Sequence, residues 1–336
     1  MSVKHLLPVV PQYFKTCLHT HTNLSDGKMT PQEVKAAYRE KGYSVLSLTD
    51  HNIIIDHSDM NEPDFLMLTG VEININETSA EPSQILLDRK FHINLIAKKA
   101  DNLWQPVPVA TKRDSTIPYR DFVQAENMER VHTPEAINAM IARASEKGFL
   151  VMYNHPRWSL HTYADYSQFE GFWGMEIRNS ECCHLGYNEN CSHVYQELLM
   201  QGKRLFPTAT DDTHNPSSIG HSWIMVGARK LAYDDVIEAL EKGDFYASCG
   251  PQIHELTIDD GLLRIRCSEA VHITVETQGR SAKYVAAEDG LLTYAEFDMT
   301  SWKERSAKDP NAFIRLTVTA ADGTYAATRA YWLEEL

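Results

Sequence analysis

Cys17-Leu18-His19-Thr20-His21-Thr22-Asn23-Leu24-Ser25-Asp26-Gly27, answered by Thr49-Asp50-His51-Asn52, is the stretch from which both the fold and the site are read. Side chains two apart on a strand share a face, so His19 and His21 project together at the strand's exit, where a loop carrying Asp26 can fold back over them. Two imidazoles and a carboxylate suit a borderline divalent metal such as zinc, manganese or iron. Taken alone, an H-x-H pair is as readily a surface or core histidine pair, so the rest of the chain decides.

Downstream, Thr30-Pro31-Gln32-Glu33 reads as N-cap, N1 proline and capping-box glutamate, with Gly42 as the stop. Ser44 to Leu48 is a short apolar strand delivering Asp50-His51. Phe65 to Ile73 carries Gly70-Val71-Glu72, and Phe91 to Ala97 carries His92. Thr133-Pro134-Glu135 opens a second helix, with Ile137, Met140, Ile141 and Ala144 at helical spacing and Gly148 at its end. Leu150 to Tyr153 then leads into Asn154-His155-Pro156-Arg157. A strand at Gly174 to Ile177, a helix from about Ser192 to Gly202, and Arg204 to Ala209 lead into Thr210-Asp211-Asp212-Thr213-His214. Ser222 to Ala228 and a helix, Asp234 to Lys242, follow.

Strand and helix alternate about seven times, with the polar residues at strand C-terminal ends. That pattern predicts an α/β fold with a parallel sheet, a distorted (β/α)7-type TIM-like barrel with its site at the strand ends. An open doubly wound sheet is the alternative. Residues 98–130, with Pro106, Pro108 and Pro118 and no sustained period, read as an insertion over the site.

From Gly250-Pro251 the pattern changes to short alternating segments separated by Asp-Gly turns, with no convincing helix. Residues 251–336 therefore read as a small all-β sandwich domain behind a barrel of residues 1–250.

Composition sets the outer limits. A chain of 336 residues, 43% apolar and 23% charged, can bury a large core. No apolar run approaches the roughly 18 residues a membrane span needs, and Leu6-Leu7-Pro8-Val9-Val10 is too short for a signal-peptide core; a cytoplasmic protein is expected. Six cysteines without a C-x-x-C pair indicate neither a zinc knuckle nor a disulfide framework. A net charge of −14 without a basic tract argues against nucleic acid as the habitual partner. A small anionic substrate is compatible, because bound cations reverse the local field.

Collected, the ligand candidates are His19, His21, Asp26, His51, Glu72, His92, His155, Asp212 and His214, each at or just beyond a predicted strand end. Here the chain resembles the PHP superfamily, the polymerase and histidinol phosphatase fold. That family's signature is H-x-H with a following S-D-G, then T-D-H, G-x-E, a strand histidine, H-P and a terminal D-x-H. Every element occurs in order over residues 14 to 250, and Phe245-Tyr246-Ala247-Ser248-Cys249-Gly250-Pro251 with the β tail resembles the two-domain members.

The resemblance implies two to three divalent transition-metal ions. His19, His21, Glu72 and Asp212 would hold the first; Glu72 would bridge to a second held with His92 and His155. Asp26, His51 and His214 would form a third and weaker site, Asp26 standing where many relatives have histidine. Metal coordination lowers the pKa of water by several units, to about 7 in favourable zinc sites, so hydrolysis would need no protein nucleophile. The expected reaction is hydrolysis of a phosphoester, with Asp26 and His214 near the leaving group.

Arg157 and Arg178 could clamp a phosphate. Asp50 and Asp211 could orient imidazoles, and Glu176 and Asn179 could face substrate. A rival reading is hydrolysis of a carbamate, amide or ester, favoured if Trp104, Trp158 or Trp173 lines an apolar pocket. A non-catalytic metal-binding module is a further alternative.

Overall fold

The computed structural model describes residues 3–78, 86–108, 125–288 and 290–336. Ten strands lead into the C-terminal region: β1 (Lys4–His5), β2 (Gln12–Cys17), β3 (Val45–Leu48), β4 (Leu66–Asn76), β5 (Lys90–Ala97), β6 (Phe149–Tyr153), β7 (Gly174–Asn179), β8 (Phe206–Thr210), β9 (Trp223–Ala228) and β10 (Phe245–Ser248). Between them lie α1 (Pro31–Glu40), α2 (Pro134–Glu146), α3 (Tyr163–Tyr166), α4 (Ser180–His184), α5 (Ser192–Met200) and α6 (Tyr233–Lys242).

Helix α1 forms for the reasons written in its sequence. Thr30 and Glu33 close a reciprocal capping box, Pro31 fits the first turn, and Val34 and Tyr38, four apart, are buried on one face. It stops at Gly42, whose φ of +77° is a left-handed conformation that costs glycine nothing.

The strands do not form the all-parallel sheet expected from the alternation. β2–β3–β4 and β6–β7–β8 are parallel sets, but β5 is antiparallel to both β4 and β6, and β9 is antiparallel to β2. The link from β3 to β4 carries only the 3-10 turn Ser58–Met60 in place of a covering helix. The result is a mixed α/β fold around a large sheet. Beyond the end of β8, Asp212 N donates to His19 O at 3.0 Å and His21 N to Thr213 O at 2.9 Å, with a parallel bridge between Thr20 and Thr213. The last parallel strand thus meets the first at the rim where the ligand candidates lie.

Past β10 come β11 (Ile253–Asp259), β12 (Leu262–Ala270), β13 (His272–Thr277), β14 (Lys283–Ala286), β15 (Leu292–Asp298), β16 (Phe313–Thr319), β17 (Tyr325–Thr328) and β18 (Tyr331–Trp332). β17 pairs with β10, so the large sheet runs on through β16, β13 and β14. A second sheet, in the order β1-β11-β12-β15, shares a separate apolar core with those strands. Residues near the N-terminus join it: β1 pairs with β11, and Leu6 and Leu7 are buried in that core.

One expectation fails in this region. A helix, α7 (Thr300–Ser306), burying Trp302, lies where none was read. Seven residues are too few to establish a helical period, and its side chains are polar apart from that one anchor. Of the insertion, residues 109–124 lie outside the described residues. Gln105 within it hydrogen-bonds Ile54 N at 3.1 Å and Asn52 O at 2.8 Å, which braces the loop after His51. Among the described residues no helix is long and apolar enough to cross a membrane.

Candidate metal centre

His19 and His21 continue the line of β2 and are both buried. The turn after them is folded tightly, with Ser25 N and Gly27 N donating to Thr22 O. A Cβ on Gly27 would stand 2.8 Å from the carbonyl carbon and oxygen of His21, so only glycine allows this approach. Asp50 holds the turn from the other side, accepting from Thr22 N at 2.8 Å, Thr22 Oγ1 at 2.7 Å and Ser25 Oγ at 2.6 Å. Asp26 is thereby carried to within 3.5 Å of His21 Nδ1 and His51 Nε2 and 3.4 Å of His214 Nε2.

Glu72, near the middle of the long strand β4, is the hub. Its carboxylate oxygens lie 3.0 Å from His51 Nδ1, 3.1 Å from His92 Nδ1, 3.2 Å from His21 Nε2, and 3.3 Å from both His19 Nε2 and His155 Nε2. Asp212 Oδ1 lies 3.1 Å from Nε2 of both His19 and His21. His92 reaches this cluster from the start of its strand, not from the C-terminal end. Because β5 is antiparallel to β4, its beginning lies on the same rim as the ends of the parallel strands.

The nine candidates fall into overlapping groups: His21, Asp26, His51 and His214; His19, Glu72 and His155; His19, His21 and Asp212; His51, Glu72 and His92. The donor set, imidazole nitrogen with carboxylate oxygen, fits a borderline divalent cation. Two buried atoms in it, Asp212 Oδ1 and His51 Nδ1, have no hydrogen-bond partner, the condition expected of atoms that face an ion. Two of the ligand candidates also sit in strained backbone, His155 at φ +24° and Asp212 at φ +52°.

The local field favours positive charge. Burial would lower His21, but the carboxylates of Asp212 and Glu72 outweigh it and raise it to about 10. His19 is raised well above the usual histidine value for the same reason, Asp212, Glu72 and Glu176 overcoming burial. His92 goes the other way, burial pushing it down to about 4 despite Glu72. Burial would raise Glu72, yet the surrounding imidazoles hold it well below the usual carboxylate range.

Several polar residues hold the ligand candidates in place, and the sequence did not assign them that role. Glu176, fully buried, accepts from His19 Nδ1 at 2.7 Å, from His155 N at 2.8 Å and from Thr210 Oγ1 at 2.5 Å, fixing two ligands at once. Neither it nor Asn179 is among the described residues lining the cleft beside the cluster; Asn179 donates to Glu176 and Asp212, each at 3.0 Å, and caps α4. Asn154 donates to Glu72 at 2.8 Å, and Ser159 Oγ lies 3.2 Å from His155 Nδ1. Asp50 and Asp211 grip loops rather than imidazoles: Asp50 accepts from the Thr22 amide and the hydroxyls of Thr22 and Ser25, and Asp211 from the amides of Gly220, His221 and Ser222. Glu176 and Asn179 belong to β7, whereas Asp50, Asn154, Ser159 and Asp211 lie beyond strand ends, and their partners come from neighbouring strands and loops.

A cleft of about 270 Å³ adjoins the cluster, lined by Asp26, His51, Glu72, His92, His155, Asp212 and His214 together with Trp158, Glu181, Cys182 and Leu185. Trp158 stands edge-on to His155, with ring centroids 4.9 Å apart. Among the described residues neither Arg157 nor Arg178 lines this cleft. Arg157 is exposed, and Arg178 is bound to Ser222 Oγ and to Asn190 Oδ1 at 2.7 Å. Trp104 and Trp173 pack elsewhere, on Phe149 and on Phe206 with Phe245.

No family model matches the chain, and no curated protein does. Among solved structures, a two-domain protein from Bacteroides vulgatus, described as containing a predicted PHP-like metal-dependent phosphoesterase, is 15% identical with a TM-score of 0.42, over 98% of each chain. An amidohydrolase from Chromobacterium violaceum is 16% identical with a TM-score of 0.39, over 61% of this chain and 90% of its own. A lesion-specific endonuclease from Pyrococcus furiosus is 11% identical with a TM-score of 0.42, over 68% of this chain and 56% of its own. The family named for the first is the one the motifs resemble. At such scores the chemistry of this chain is read from its own residues.

Proposed function

We propose that this chain is a metal-dependent hydrolase of the PHP superfamily that cleaves a phosphoester of a small molecule. Two to three divalent ions, zinc, manganese or iron, would be held by His19, His21, Asp26, His51, Glu72, His92, His155, Asp212 and His214. The observation that carries this reading is the convergence of nine side chains from separate segments on one rim, with Glu72 within 3.3 Å of five imidazoles. Bound there, divalent ions supply an activated water at neutral pH and neutralise charge developing on a phosphoryl oxygen.

The protein's own residues supply order and exclusion. Glu176 fixes His19 and the backbone of His155, and Asn154 fixes Glu72, so the donor atoms stand ready without rearrangement. Asp26, exposed, and His214, half-buried, are outer members of the set and border the cleft where a departing group leaves. Trp158 and Leu185 shield the inner ligands from bulk water. On this reading the ring of strands from β2 to β8, joined at the rim through Thr20 and Thr213, is a distorted barrel borne by residues 1–250. Residues 251–336 serve packing or assembly, and the enzyme works in the cytoplasm without nucleic acid as partner.

A second reading, hydrolysis of a carbamate, amide or ester, is supported by the wall of Trp158, Cys182 and Leu185 and by the lack of an arginine among the described lining residues. Manganese-loaded protein assayed side by side on p-nitrophenyl phosphate, bis(p-nitrophenyl) phosphate and p-nitrophenyl acetate separates the two. Release of p-nitrophenol from either of the first two supports the phosphoesterase. Turnover of the acetate alone replaces it with the acyl hydrolase, and turnover of none by metal-replete protein rejects both.

A further inference from the structure

We propose that Glu181 makes this site selective for substrates whose departing portion carries a protonated amine, an inference that rests on the hydrolase reading above. Glu181 lies in the first turn of α4 and forms part of the cleft wall with Trp158 and Leu185. It is only 9% exposed. Its carboxylate receives a single hydrogen bond, from Asn215 Nδ2 at 3.3 Å, and no lysine, arginine or histidine among the described residues pairs with it.

The other buried carboxylates around the cleft are accounted for. Glu72 and Asp212 face imidazoles, and Glu176 is satisfied by His19, Thr210 and backbone. Glu189 accepts from the amides of Arg157 and Trp158 at 2.9 and 2.7 Å. Among the described residues, Glu181 is the buried carboxylate of the cleft lining with one long contact, from a neutral amide.

A buried carboxylate without a cation is costly, and the cost is relieved by whatever ligand brings the charge. An ammonium group does so while donating up to three hydrogen bonds; a hydroxyl donates one and leaves the charge unpaired. Trp158 and Leu185 offer apolar surface to the short hydrocarbon link between that ammonium and the scissile ester. Glu181 belongs to none of the ligand groups, so its part is recognition. The substrate class it selects is the phosphoester of an amino alcohol.

Metal-reconstituted full-length protein and its Glu181→Gln variant are titrated calorimetrically with n-propylammonium chloride and with 1-propanol at fixed ionic strength. They are also assayed on 2-aminoethyl phosphate and ethyl phosphate, with metal content measured in parallel. Expected are about tenfold weaker propylammonium binding in the variant and an equal metal content. A preference for the aminoethyl ester in the parent protein should collapse towards unity in the variant, through KM rather than kcat. Equal propylammonium affinity in the two proteins overturns the proposal, as does loss of metal from the variant, which would make Glu181 a ligand. Glu181-dependent ammonium binding without turnover of either phosphate sustains this inference and removes the phosphoesterase reading instead.

Discussion

The rim that gathers the ligand candidates and the C-terminal β region are built on opposite economies. At the rim, fully or nearly buried His19, His21, Glu72, Asn94, Asn154, Glu176, Thr210 and Asp212 crowd together, held by contacts such as Asn94 Nδ2 to Leu18 O, Asn154 Nδ2 to Glu72 and Thr210 Oγ1 to Glu176. In the C-terminal region the shared core is made of side chains such as Leu263, Ile265, Phe297, Trp302 and Ile314, and no potential metal group occurs there among the described residues. Burying so many polar groups is unfavourable unless each finds a partner, so the rim is held by directional contacts and the β region by area removed from water. Substitution should therefore silence the first without unfolding it and unfold the second without touching its partner's chemistry.

The largest effect expected is on turnover. Glu72→Ala or His155→Ala should lower kcat by several orders of magnitude, because Glu72 is common to two of the ligand groups and His155 adjoins it. Circular dichroism and the melting transition should stay close to those of the parent; retained hydrolysis in either purified variant breaks the assignment. In the β region the counterpart is Trp302→Ala, which should cost about 3–5 kcal/mol of stability in denaturant titration. Its metal content should be unchanged, and a loss of metal on this substitution would show that the two regions are not separable.

A smaller effect is expected from Glu176→Gln, which keeps the shape of a residue that holds His19 and His155. Loss of the charged acceptor should weaken metal affinity by roughly 10- to 100-fold, read by competition with a chelator, with the melting curve of the metal-loaded form little altered. Affinity equal to the parent's would reduce Glu176 to a packing role.

The smallest effect is a pH dependence beside the rim. Burial pushes His161 down to about 3 from an ordinary 6.5, and its Nδ1 lies 2.6 Å from the Tyr153 hydroxyl. Below about pH 6.5 the unfolded chain takes a proton that folded His161 refuses, so this contribution is complete above 6.5 and fades as pH falls towards 3. The stability advantage of the parent over His161→Gln should shrink across that window in paired thermal melts. A constant difference from pH 7 to pH 4 would mean that His161 titrates normally.

Most of the nine ligand candidates could be singled out in the sequence because they stand beside a turn signal at the edge of an apolar run, where a sheet exposes its ends; Glu72 and His92 lie within their strands. Helix α1 and the stops at Gly42 and Gly148 were legible because capping chemistry is local. Helix α7 was not, since its single buried anchor, Trp302, gives no period. The holding roles of Glu176, Asn154 and Asp211 were not legible either, because each depends on a partner supplied by another strand or loop.

The sequence by itself marked which side chains have metal-ligating chemistry and set them in or beside predicted strands, since both follow from side-chain chemistry and from periods of two and 3.6 residues. Only the tertiary structure decided that β5 runs antiparallel, which brings His92, near the start of its strand, to the rim occupied by the ends of the others. It alone decided that Arg157 and Arg178 stay outside the cleft wall while Glu181 and Trp158 form part of it. Strand direction and cleft lining are set by contacts between residues distant in sequence, such as Asn74 with His92 and Glu181 with Asn215, and no local pattern records those.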